Sequence, residues 1–383
     1  GKTRTALSII TQLINEDKID KIILQMYGKD LIKQWERNIN DWKNSKISRS
    51  INVLNDDRED LDFFLLNYTN PSVDLIIVRQ SKLPDLLNKI EDLDQSRTLI
   101  IHDEVHDLFA KEISKEVVGK QNKFGYKLGL SATIREEFNS EREATLFKEI
   151  QGGGNTPTYE YPLKKAIEDG VLVQMDLIDL RYELDDLEIG KIRNAWTAHK
   201  ANIEQGMPKW NADSIVSIKI ADIRKNAKDK IVVFKNNLNK LLPKLHRSFI
   251  FADETDYGNE LLNILIPHIS VKTHYSKIIN GKKITDKKNL ERFSNHELNC
   301  IINVTKLSQG IDVQSLKTIV LFATPRGRQL KQRLGRVLRI DPSNPNKRAL
   351  VIDFFDKTHM NKKKGSDYDR FTELDEYTRI KKI

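Results

Sequence analysis

The sequence of 383 residues contains one cysteine, Cys300, which excludes an internal disulfide framework and any zinc site built from several thiolates. A lone thiol fits a reducing compartment, so an intracellular protein is expected. Long apolar runs are missing too. No stretch approaches the roughly 18 residues that cross a bilayer, and the first residues lack the charged, apolar and small-residue succession of a secretory signal. The expectation is a soluble chain without a membrane partner. There is no initiator methionine either: the sequence opens on Gly1-Lys2-Thr3 and reads as a segment that starts inside a functional motif.

What is present is enough apolar material for sizeable cores, with hydrophobic residues at 39% and charged ones at 31%. A chain disordered throughout is thereby excluded. The length allows two or three domains at about 100 to 200 residues each. Lys and Arg number 64 against 55 Asp and Glu, a net charge of +9 that suits a polyanionic partner.

Short apolar runs bounded by polar turns come in two sets. The first comprises residues 21–24, 75–78, 98–101 and 128–130, and the second 248–251, 300–304, 318–322 and 349–352. Interleaved stretches such as 3–14 and 30–42 carry apolar residues at three- and four-residue spacing. Buried parallel strands alternating with crossover helices read this way, so the fold class is α/β with two sheets and two domains. Ile231, Phe234, Leu238, Leu241 and Leu245 share one face of a helix expected to precede the second set. Gly152-Gly153-Gly154-Asn155-Thr156-Pro157 is a loop signal. The boundaries expected are 1–160 for the first domain, 161–230 for a charged connecting region, 231–356 for the second domain and 357–383 for a polar tail with a final helix.

Gly1-Lys2-Thr3 before a helical pattern has two readings. It is the end of a phosphate-binding loop, with Lys2 on the terminal phosphates and Thr3 on magnesium, or a plain helix start capped by Thr3 or Thr5. At 98–106 an apolar strand delivers Asp103 and Glu104 to its carboxyl end, where open parallel sheets bind ligands. Asp103 there can position magnesium, and Glu104 can orient and deprotonate a water attacking a γ-phosphate. The alternative is a solvated turn. His102 and His106 lack a third ligand nearby, which argues against zinc. Arg336 and Arg339, three apart on an expected helix, project from nearly one face and can spread positive charge over a phosphoryl group.

Taken in order, these motifs resemble the motor core of superfamily 2 helicases and translocases of the DExH type, similar to the ATPase motors of DNA repair helicases and of type I and III restriction enzymes. Leu130-Ser131-Ala132-Thr133 resembles the Ser-Ala-Thr motif that couples hydrolysis to movement, with Ser131, Thr133 and His106 as the coupling residues. Phe249-Ile250-Phe251-Ala252 resembles the strand opening the second lobe. Thr305-Lys306-Leu307-Ser308-Gln309-Gly310-Ile311-Asp312 resembles the fifth motif, and Gln332-Arg333-Leu334-Gly335-Arg336-Val337-Leu338-Arg339 the sixth. The resemblance implies two RecA-like domains with ATP and Mg2+ in the cleft between them. Gly1, Lys2, Thr3, Asp103, Gly310, Asp312 and Gln332 would hold the nucleotide, with Lys2, Asp103, Glu104, Arg336 and Arg339 catalytic. It also implies a nucleic-acid partner, gripped by Lys29, Lys33, His274, Thr305 and Lys306. The box Asp-Glu-Val-His and a sixth motif beginning with glutamine tilt the expectation toward DNA rather than RNA. The basic run 281–288 is equally an ordinary solvated face, and Leu31, Trp35 and Ile39 share one helical face as core residues do. The glycine-rich half of the family's phosphate loop would lie before Gly1. Further domains or subunits are expected outside this segment.

Overall fold

The computed structural model describes residues 1–43, 49–108, 115–132, 140–252, 254–274, 276–279, 282–285, 288–303, 313, 315–323, 325 and 327–380. The described residues before Tyr161 gather into one compact unit and those from Tyr161 onward into a second.

The first unit is a five-stranded sheet of β1 (Lys21–Met26), β2 (Ile51–Asn55), β3 (Val73–Arg79), β4 (Thr98–Asp103) and β5 (Tyr126–Leu130). The spatial order is β2-β3-β1-β4-β5, and every pairing is parallel. β1 and β4 are buried along their whole length because an apolar run without alternation needs cover on both faces. Successive side chains then go to opposite layers. Ile22, Leu24, Leu75, Ile77, Leu99 and Ile101 pack on one face, with Ala6, Leu7 and Ile10 of α1 (Lys2–Asn15) and Leu31, Trp35 and Ile39 of α2 (Lys29–Lys43). Ile23, Ile76, Val78 and Ile100 pack on the other, with Phe64, Leu86 and Phe147. At the amino ends of the strands, buried Lys21 donates from Nζ to Asp74 Oδ2 at 2.7 Å and to the Asn70 and Ser72 carbonyls. That pair is structural, since the opposite, carboxyl edge of the sheet carries Asp103.

The second unit contains β6 (Met175–Tyr182), β7 (Ser248–Phe251), β8 (Val271–His274), the ribbon strands β9 (Ser276–Ile279) and β10 (Lys282–Thr285), then β11 (Cys300–Asn303), β12 (Thr318–Leu321) and β13 (Ala349–Asp356). Six of these form a parallel sheet in the order β6-β13-β12-β7-β11-β8, and β9 and β10 pair antiparallel apart from it. Its core gathers Phe234, Ile250, Ile302, Val320, Phe322, Ile352 and Phe354. The last described helix, Ser366–Thr378, is held to β13 by a buried ion cluster. Arg370 donates from Nε to Asp353 Oδ2 at 2.8 Å and from Nη1 to Asp367 Oδ1 at 3.0 Å, and Tyr182 donates to Asp367 Oδ2 at 3.1 Å.

Several sequence expectations need correction. Residues 161–230 hold β6, an edge strand of the second sheet, and two long helices, Asp186–Glu204 and Lys209–Lys225. β6 escaped notice because an edge strand with exposed positions alternates too loosely to stand out. The helix expected over Ile231 to Leu245 is three pieces, Asp229–Asn236, Leu238–Leu241 and a 3-10 turn at Leu242–Lys244. Asn237 turns its amide back to the Val233 carbonyl at 2.8 Å, and Pro243 has no N–H to continue a helix. Among the described residues no helix is long and apolar enough to cross a membrane.

Candidate active site

α1 begins directly at Lys2, with Gly1 as its N-cap, no side-chain cap and no acidic residue in its first turn. Neither Thr3 nor Thr5 caps the helix: Thr3 lies inside the first turn, and Thr5 donates from Oγ1 to the Gly1 carbonyl at 3.3 Å. The first N–H groups of a helix have no acceptor within it, and the macrodipole adds positive potential there, so this terminus is suited to an anion.

The carboxylates follow from the end of β4. Asp103 is its last residue and is buried. Glu104 breaks the strand in the left-handed region, φ 51°, a conformation costing a non-glycine residue about 1 to 3 kcal/mol. The turn carries the Glu104 side chain back toward α1. Lys2 Nζ donates to Glu104 Oε1 and lies 3.8 Å from Asp103 Oδ1. The Glu104 N–H donates to Asp103 Oδ1 at 3.0 Å, and the Trp35 indole N–H donates to Asp103 Oδ2 at 2.7 Å. His106 Nδ1 is 2.8 Å from Ser131 Oγ and 3.5 Å from Glu104 Oε2. Residues from β1's neighbour strand, α1, α2 and the end of β5 thus converge at the carboxyl edge of one sheet.

Behind them sits His102, wholly buried, with Nδ1 3.0 Å from Gln25 Oε1 and Nε2 2.7 Å from Gln121 Oε1. Burial pulls its pKa down to about 4, partly countered by the Gln121 bond, so the ring is neutral near pH 7. A neutral imidazole has one N–H and cannot serve two carbonyl oxygens. Exchanging the N and O of the Gln121 amide resolves this, because Gln121 Nε2 otherwise has no acceptor. His102 is therefore a fixed link between β1 and the residue 115–124 segment. Sequence reasoning missed its part, and that of Trp35 as a donor; no motif marks either contact.

In the second unit, the helix Gly327–Val337 buries Leu330, Leu334 and Val337 and carries Gln332 and Arg336 half-buried on its other side. Arg333 stacks its guanidinium 4.5 Å from the Phe251 ring centre. Arg339 departs from expectation. It lies beyond the helix in an isolated bridge with Leu172, where Val173 N donates to the Leu338 carbonyl at 2.8 Å and Lys347 Nζ donates to the Arg339 carbonyl at 2.7 Å. Those bonds draw the chain into an extended pairing, so Arg336 and Arg339 do not share a helical face. His274 is buried at the end of β8. Lys33 is exposed on α2, and Lys29 starts that helix. Thr133, Thr305, Lys306, Gly310 and Asp312 lie outside the described residues.

Among the described residues no three His, Cys, Asp or Glu side chains form a metal cage. Asp103 and the Thr3 hydroxyl are nonetheless hard oxygen donors of the kind Mg2+ takes when phosphates and waters complete its shell.

Two family models match this chain: the type III restriction enzyme res subunit over residues 1–136 and the helicase conserved C-terminal domain over residues 218–341. The chain carries a superfamily 2 helicase motor core. Among solved structures, the helicase domain of Pyrococcus furiosus Hef is similar at 12% identity and a TM-score of 0.56, over 98% of this chain and 93% of that one. A variant of S. cerevisiae Dbp5 bound to RNA and ADP BeF3 is similar at 13% identity and a TM-score of 0.54, over 100% of this chain and 81% of that one. At such identities the likeness speaks to the fold, two RecA-like α/β units. No curated protein matches the sequence. Domains of this helicase family are in general ATP hydrolases that bind nucleic acid, and the motor core inherits that expectation.

Proposed function

We propose that the motor core is a DExH-type ATPase that drives a helicase or translocase along DNA. The observation that carries the reading is the convergence of Lys2, from the start of α1, on Asp103 and Glu104 at the end of β4. A cation at a helix start beside two carboxylates has little structural purpose, but it is the set needed to hold a triphosphate with its metal and to activate water. Asp103 and Thr3 would hold Mg2+, which supplies charge neutralisation on the phosphates when bound. Lys2 exchanges its carboxylate partner for phosphate oxygens. Glu104, so released, orients the attacking water and takes its proton. His106, between Glu104 and Ser131, relays the state of that carboxylate to the Ser-Ala-Thr segment. Arg336 and Arg339 neutralise charge on the transferring phosphoryl group. Gln332, Gly310 and Asp312 complete nucleotide binding, and Lys29, Lys33, Thr305, Lys306 and His274 the grip on the strand.

The res-subunit match over residues 1–136 favours DNA and raises a second reading, the motor of a restriction or defence complex whose nuclease lies elsewhere. ATP hydrolysis measured with single-stranded DNA, duplex DNA and RNA side by side tests the proposal. DNA should stimulate most. Lys2→Ala and Glu104→Gln should each lower the stimulated rate by about 100-fold or more. Turnover at the wild-type rate in both variants would remove the assignment.

A further inference from the structure

Helix α2 shows two faces. Leu31, Trp35 and Ile39 are buried against the sheet, whereas Lys33 and Arg37 are exposed. Two residues along a helix is about 200° of rotation, so each of these cations stands on the side of the helix away from Trp35. Packing alone explains an aromatic ring at position 35, where Trp35 is among the largest fully buried side chains. It does not explain the indole N–H, which donates to Asp103 Oδ2 at 2.7 Å with both side chains buried. The other oxygen, Oδ1, accepts from the Glu104 N–H at 3.0 Å and faces Lys2 at 3.8 Å. The carboxylate is thus fixed by α2 through one oxygen, while the other is turned toward the lysine. A carboxylate held by a charge-assisted bond in a buried site cannot rotate without losing that bond.

We propose that Trp35 is a positioning residue for Asp103, and that through it α2 ties the grip on a phosphate backbone at Lys33 and Arg37 to the metal-holding carboxylate. The proposal rests on the ATPase reading above. Phosphates drawn to the outer face pull on a helix whose inner face is packed to the sheet, and the indole passes any change of its seating directly to Asp103. Strand binding thereby sets the orientation of the oxygen that meets Mg2+, which gives nucleic acid a route to stimulate hydrolysis within the first unit.

Trp35→Phe keeps an aromatic side chain in the core and removes the donor. Because a hydrogen bond to a charged group is a matter of roughly tenfold in an equilibrium, the Mg2+ concentration for half-maximal ATPase should rise about tenfold in this variant. The stimulation by single-stranded DNA should fall by a comparable factor, with the thermal midpoint shifted by only a few degrees. Unchanged metal dependence together with full stimulation overturns the proposal. A second readout needs no turnover. The four tryptophans give four indole N–H signals in a 15N-labelled protein, and that of Trp35 is identified by replacing Trp42, Trp196 and Trp210 in turn. It should move in Asp103→Asn and on addition of Mg2+ with ADP. A signal unmoved by either overturns the proposal whether or not the protein hydrolyses ATP. A signal that moves in a protein without DNA-stimulated ATPase upholds the positioning of Asp103 and removes the functional reading instead.

Discussion

His102 is wholly enclosed between Gln25 and Gln121 with its pKa pulled down to about 4 by burial. In the unfolded chain a histidine titrates near 6.5. Between those two values the unfolded state binds a proton that the folded state refuses, so stability rises with pH across this window. The contribution is complete above pH 6.5 and is lost as the pH falls toward 4. At about 1.4 kcal/mol per pH unit, the full window is worth about 3 kcal/mol. Replacing His102 by Gln, which keeps a polar side chain without a titrating group, should flatten the unfolding free energy between pH 6.5 and 4 relative to wild type. Denaturant titrations at several pH values measure the difference; parallel curves for the two proteins would show that His102 does not carry it. Nothing in the sequence distinguished this histidine from His106, four residues on: both flank the same acidic pair, yet one is locked between amides and the other meets Ser131. The difference arises from partners far along the chain, which spacing cannot disclose.

At the scale of elements, the strands with unbroken apolar runs, β1, β3, β4, β7, β11 and β12, were legible because burial on both faces imposes a composition that nothing else in the chain has. The edge strands β2 and β6 were not. β2 has one fully buried residue, Leu54, and β6 mixes Asp and Arg with its apolar residues because one side of it has no neighbouring strand. The final helix, Ser366–Thr378, was expected, but not the polar cluster that fastens it. Arg370 is buried with Asp353 and Asp367, and burial raises the pKa of Asp353 while Arg370 works against that rise. Removing one partner from such a cluster leaves an uncompensated charge, which costs about 3 to 5 kcal/mol. Arg370→Met should therefore destabilise the second unit by that amount, whereas replacing Lys357, whose partner Glu183 is exposed, should leave stability nearly unchanged because solvent screens the pair. Chemical denaturation followed by far-ultraviolet circular dichroism checks both. An Arg370→Met protein as stable as wild type would show that packing of Leu374 and its neighbours, rather than the ion cluster, retains the helix.

For the whole molecule, two units each fold around their own parallel sheet, and the residues proposed for catalysis are drawn from the sequences of both. In the proposed cycle the first unit supplies the metal-holding carboxylate, the lysine and the water-activating glutamate. The second supplies cations that matter when charge develops on the transferring phosphoryl group. The sequence spacing of Arg336 and Arg339 pointed to one helical face; the bridge between Leu172 and Arg339 places Arg339 beyond the helix that carries Arg336. This division predicts different kinetic signatures. Lys2→Ala should weaken ATP binding together with turnover, because the lysine meets the phosphates in the ground state. Arg336→Ala and Arg339→Ala should leave nucleotide affinity within about tenfold of wild type and lower turnover by about 1,000-fold, the loss typical of an arginine that acts in the transition state. If the two arginines act as a unit on the phosphoryl group, each single variant should show most of that loss, with Lys unable to restore it because a point charge cannot reproduce the fork. Equilibrium binding of a fluorescent ATP analogue, set beside steady-state turnover in the presence of DNA, separates the two effects. Arginine variants that lose affinity and rate in equal measure would place these side chains in ground-state binding and remove their assignment to the transition state.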